Sequence, residues 1–125
     1  LNKRTNLRKL TVIILVKNKI QIKMANRWGI PKDVEELVKK RDLQCVYCGK
    51  VFTASIASFI ARPTWEDIIY DIRINGPDNI AICCGSCNAS KGIKQLEEWL
   101  NSKYCTDKGI TIDNVAEVVK NKLKK

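Results

Sequence analysis

A chain of 125 residues with 45% hydrophobic content suits one domain with a modest buried core, and reads as globular rather than disordered. It contains no apolar run of about 18 residues, so no membrane-spanning helix is expected. The net charge of +10 is uneven, because residues 1–23 hold seven Lys and Arg and no acid, leaving sixteen basic against thirteen acidic residues in the remainder.

The basic arm comes first. Met24 is the only methionine, and MANRWGIPKDVEELVKK reads like a native start. Residues 1–23 are therefore expected to be an upstream extension, with a single domain over 24–125. The alternatives are a basic arm that touches phosphates, or an extra edge strand over Thr11–Val16. Leu10–Val16 is apolar, but Lys17 and Lys19 follow where a secretory cleavage site needs small residues. A cytoplasmic setting follows, in which thiols bind metal more readily than they pair as disulfides.

Pro31 to Asp42 reads as the first helix, with Pro31 suited to its first turn. Asp33, Glu35 and Glu36 fill the early turns and Lys39, Lys40 and Arg41 the last, which complements the helix dipole. Val34, Leu37 and Val38 mark its apolar face. Residues 51–62 (VFTASIASFIAR) carry no clear period and receive no assignment. Thr64 to Ile72 is rich in strand formers, Asn75-Gly76-Pro77-Asp78 is a turn cluster, and Asn79 to Cys84 is a second strand. A helix is expected from Ser86 or Cys87 to Lys103, with Ile93, Leu96, Trp99 and Leu100 at helical spacing. A last helix is expected over Asp113–Leu123. Trp65 and Trp99 are expected in the core rather than as base-stacking platforms.

Two C-x-x-C pairs stand out: Cys45-Val46-Tyr47-Cys48 and Cys84-Gly85-Ser86-Cys87, separated by 35 residues. Four thiolates in two such pairs can close a tetrahedral shell around one structural Zn2+. The competing readings are a disulfide pairing or unrelated thiols. A dithiol oxidoreductase is a further possibility, but the βαβ setting of a thioredoxin-like motif is missing. Cys83 and Cys105 are expected to be buried thiols outside the metal set.

Between the pairs lies Thr64-Trp65-Glu66-Asp67-Ile68-Ile69, followed by Asn79-Ile80-Ala81-Ile82 and then Cys84-x-x-Cys87-Asn88-x-x-Lys91-Gly92. This order resembles the HNH endonuclease family, over a core of about residues 42–105. The resemblance implies an α+β fold: a small ββα-metal (His-Me finger-like) domain with a four-cysteine zinc site and flanking helices. It implies metal-dependent hydrolysis of phosphodiester bonds in double-stranded DNA, leaving 5′-phosphate and 3′-hydroxyl ends. By position, Glu66 and Asn88 match the ligands of a catalytic divalent cation such as Mg2+ or Mn2+. Asn79 matches the residue that positions the catalytic His, and Lys91 the motif lysine that contacts a phosphate or caps carbonyls. Cys45, Cys48, Cys84 and Cys87 match the structural zinc ligands.

The sequence departs from that family at Asp67, where the family has His, and the chain contains no His at all. General base catalysis is worth ~10²–10⁴-fold, so its loss removes ~3–5 kcal/mol of transition-state stabilisation. Asp67 could serve as a base if burial raises its pKa, could hold a second metal, or could mark a disabled enzyme. The alternative is therefore a catalytically inactive nucleic-acid-binding module on the same fold. On a regular strand Glu66 and Asp67 would face opposite ways, and they can share a site only at a strand end, bend or bulge.

Overall fold

Two short antiparallel strands and the helix that follows them organise the chain. The computed structural model describes Met24, Asn26 and residues 28–52 and 59–124, except the side chain of Phe59. The expectations for residues 1–23 lie outside the described residues.

Helix α1 (Lys32–Arg41) forms where the sequence predicts it, with Pro31 in the cap position just before the first helical residue. Val34 and Val38 are buried, whereas Leu37 is 48% exposed, so the apolar stripe is narrower than expected. The helix ends in a clamp. Arg41 donates to the carbonyls of Pro77 and Ile80, and pairs with Asp42, whose Oδ2 accepts the Ile82 amide at 3.0 Å. This fastens α1 to the second strand.

The first Cys pair lies in a tight knuckle. The Cys45 amide donates to the Lys50 carbonyl, and the Gly49 amide returns to the Cys45 carbonyl. Gly49 has φ +77°, a backbone region that side chains other than glycine's rarely adopt. A bridge between Gln44 and Val51 closes the base of the loop.

Strand β1 (Pro63–Asp67) pairs with β2 (Ile80–Cys84) in the register Pro63 with Cys84 through Asp67 with Ile80. Every residue of β2 is buried. The expected first strand, 64–72, is shorter than predicted. The chain bends at Ile68 and Ile69, and the Asn79 side chain takes both polar backbone groups of Ile69 and the carbonyl of Ile74. Backbone groups that satisfy a local clamp are not left to extend a ladder.

Helix α2 (Gly85–Lys91) follows β2 directly, with Cys84 as its cap residue. The single helix expected over 86–103 is broken. Gly92 (φ +52°) ends α2, α3 covers Leu96–Leu100, and Ser102 caps α4 (Lys103–Lys108). Ile93 is 71% exposed, while Leu96 and Trp99 are buried as their spacing predicts. Helix α5 is Glu117–Leu123 and starts later than expected, because Asn114 ties residues 109–114 into a turn. The Ala116 amide then docks on the Val46 carbonyl of the knuckle.

One buried cluster runs from Ile30 to Val119 and includes Tyr47, Phe52, Trp65, Ile68 and Trp99. Both tryptophans expected in the core are there. No helix among the described residues is long and apolar enough to cross a membrane. The described chain is thus a mixed domain of five helices and one two-stranded antiparallel sheet.

Candidate functional site

The two Cys pairs come together. The sulfurs of Cys45, Cys48, Cys84 and Cys87 all lie within 4.8 Å of one another. The Cys48–Cys84 separation is 3.8 Å, matching the ~3.8 Å edge of a tetrahedron with Zn–S near 2.3 Å. The first pair comes from the knuckle and the second from the β2–α2 junction, so an ion here would pin a loop to the head of a helix. Mutual hydrogen bonding divides the four thiols, with Cys48 and Cys84 held down (Cys84 to about 6) and Cys45 and Cys87 pushed up. Such a group can hold a metal such as zinc. Tyr104 donates to Cys87 Sγ at 3.3 Å and shares a hydrogen bond with Ser86. Cys83 and Cys105 are buried and stand outside the cluster.

Glu66 is a buried carboxylate on β1, only 6% exposed. Its Oε2 accepts the Tyr47 hydroxyl at 2.5 Å and lies 3.3 Å from Lys91 Nζ. The Lys91 side chain is fully buried and also donates to the Asp67 carbonyl at 3.2 Å. Lys91 therefore caps a carbonyl and neutralises Glu66, rather than reaching outward to solvent. Burial pushes the Glu66 carboxyl above its ordinary range, against the opposing pull of Lys91 and the Tyr47 hydrogen bond. The partners all converge on Oε2. Oε1 takes no hydrogen bond from the described residues, and Glu66 lines the cavity described next.

Asp67 closes β1, where the chain bends, and this lets two adjacent acids face one space. Glu66, Asp67 and Asn88 line a single cavity of about 270 Å³, walled by Trp28, Ile30, Trp65, Tyr70, Gly92 and Ile93. Burial raises the Asp67 carboxyl as well, opposed by Lys91 and assisted by the charge of Asp71. Asn88 projects from α2 and spends its amide NH2 on Thr64 Oγ1 (2.9 Å) and the Trp65 carbonyl (3.0 Å). Its Oδ1 takes no hydrogen bond from the described residues. Asn79 is buried and does not line the cavity. It clamps the loop that leaves Asp67, and so fixes where that residue sits.

Sequence reasoning missed Tyr47, Thr64 and the Arg41–Asp42 clamp. Tyr47 occupies a spacer position inside the first C-x-x-C, and its partner Glu66 is 19 residues away. The chain has no match among protein-family models, curated proteins or solved structures. What fold and site define is a small mixed α/β domain with a cluster of four cysteines that could hold a metal ion, and a cavity lined by two carboxylates and an amide.

Proposed function

We propose that this domain is a metal-dependent endonuclease of the HNH kind that hydrolyses phosphodiester bonds in DNA. One observation carries the reading: Glu66, Asp67 and Asn88, predicted as ligands and base from their place in the motif, line one cavity. Glu66 Oε1 and Asn88 Oδ1 are the unspent oxygens there, and two hard oxygen donors suit Mg2+ or Mn2+. A divalent cation on this pair would neutralise charge building on the scissile phosphate and on the 3′ leaving oxygen. Asp67 accepts the proton of the attacking water, for which its raised pKa suits it better than an ordinary carboxylate. The P–O3′ bond breaks, solvent protonates the leaving oxygen, and a 5′-phosphate and a 3′-hydroxyl remain. Lys91 and Tyr47 hold Glu66 in place, Asn79 holds the loop after Asp67, and the zinc of the four-cysteine cluster is structural.

A second reading rests on the buried ion pair. The Lys91 ammonium already compensates Glu66, so the fold needs no cation at this position, and with Asp in place of His the domain could bind nucleic acid without cutting it.

Supercoiled plasmid with Mg2+ or Mn2+ separates the two. Nicking by the parent that disappears in Glu66→Ala supports the enzyme. Nicking by Asp67→His alone identifies a disabled nuclease. Absence of nicking by both sinks the catalytic reading.

A further inference from the structure

The cavity that holds Glu66, Asp67 and Asn88 has a neighbour. A second cavity of about 370 Å³ is lined by Lys94, Gln95, Glu97 and Lys122, and shares Tyr70 and Ile93 with the first. Tyr70 is 66% and Ile93 71% exposed, so the shared wall is a low apolar ridge between two open depressions. Their charge characters differ. The first depression presents two carboxylates. The second presents two ammonium groups against one carboxylate. Lys94 caps the Ser90 carbonyl, and Lys122 reaches in from α5 while paired with the exposed carboxylate of Asp78 at 3.0 Å. The Asp78 carboxylate is 73% exposed and so is well screened by water, whereas the Lys122 side chain is only 15% exposed; a phosphate entering the cavity competes with Asp78 for that ammonium.

We propose that the second cavity is a phosphate subsite for the DNA strand whose neighbouring phosphodiester sits over Glu66, Asp67 and Asn88. This deepens the nuclease reading and rests on it for the position of the first phosphate. Acids beside cations suit a polyanion gripped in two ways: the reacting phosphate through a divalent cation, the next one directly by Lys94 and Lys122. Tyr70, on the ridge, offers an aromatic face to the base between them, and such faces accept any base.

Fluorescence anisotropy of a labelled single DNA strand, measured over a series of salt concentrations, tests the subsite. Each lysine–phosphate contact to a single strand contributes about 0.7 to the slope of log K against log salt. The double variant Lys94→Gln/Lys122→Gln should lower that slope by about 1.4, and Lys94→Arg/Lys122→Arg should restore it. Lys103→Gln/Lys108→Gln on α4 changes the same charge outside both cavities, and should leave the slope as in the parent. An unchanged slope in the first variant overturns the subsite, as does an equal fall in the α4 control. Plasmid nicking by the parent is read separately. Nicking with an unchanged slope removes the subsite and keeps the nuclease. A lysine-dependent slope without nicking removes the nuclease and keeps the groove.

Discussion

The Tyr47 hydroxyl donates to Glu66 Oε2 at 2.5 Å from a position between two cysteines of the four-sulfur cluster. The ring of Tyr47 packs edge-on against Trp99, which stacks on Tyr104, whose hydroxyl returns to Cys87. The cysteine cluster and the buried carboxylate are thus braced by one chain of aromatic contacts.

Tyr47→Phe keeps the ring and deletes the hydrogen bond. Bonds to charged groups are worth about 1.5–3 kcal/mol, and thermal unfolding should register a loss of that order. Zinc content measured on the same sample should stay at the parent level, since none of the four sulfurs is altered. A Tm equal to the parent's would show that the hydroxyl contributes nothing.

Lys91→Met strands Glu66 with a single remaining partner. Removing one member of a buried ion pair costs about 3–5 kcal/mol, measurable by chemical denaturation. The double variant Lys91→Met/Glu66→Gln should recover much of the loss, because the uncompensated charge is gone. Strict additivity in the double-mutant cycle would show that the two side chains are not coupled.

The pH dependence of stability should carry Glu66's signature. Burial raises its folded pKa above the unfolded value, so its favourable contribution is complete below the unfolded pKa. That contribution fades as pH rises through the folded pKa, because the ionised form is costlier inside than in water. Compared with Glu66→Gln, the parent should therefore lose relative stability as pH climbs through and just above the ordinary carboxylate range. A difference between the two chains that is flat with pH would refute the shift.

Metal removal should unfold the knuckle. A strong chelator, or Cys48→Ala, should abolish the cooperative thermal transition, because metal binding at such clusters contributes directly to folding. Cys83→Ala and Cys105→Ala should each still bind one zinc per chain, since both thiols lie outside the cluster. Loss of zinc in either variant would reassign the ligand set.

What the sequence made legible was local or periodic. The dipole-matched charges of α1, the paired C-x-x-C knuckles and the turn before Asn79 each depend on residues close in the chain. Their elements appear within a few residues of expectation. The break of the long helix at Gly92 is harder to see, because apolar spacing continues through Leu96 and Trp99 while the backbone leaves the helical region at Gly92. The early end of β1 depends on a side chain ten residues away, since Asn79 captures Ile69. Tyr47 carried no signal, because a hydroxyl's partner is decided by packing. The motif grouped Glu66, Asp67 and Asn88, and the three line one cavity. It was silent on the fact that Lys91 is turned inward onto Glu66.

Thr64 owns one hydroxyl proton, and it is given to the Cys83 carbonyl at 2.8 Å. The same oxygen can then only accept, and the Trp65 carbonyl beside it can only accept as well. Whatever stands at position 88 must bring two donor hydrogens to these two oxygens, which an asparagine does and an aspartate does not. Proton counting around a threonine thus dictates which end of the Asn88 amide faces inward, and leaves its oxygen free for the cavity. Asn88→Asp, conservative in size, would set a carboxylate against two acceptors, so the fold itself selects an amide at this point.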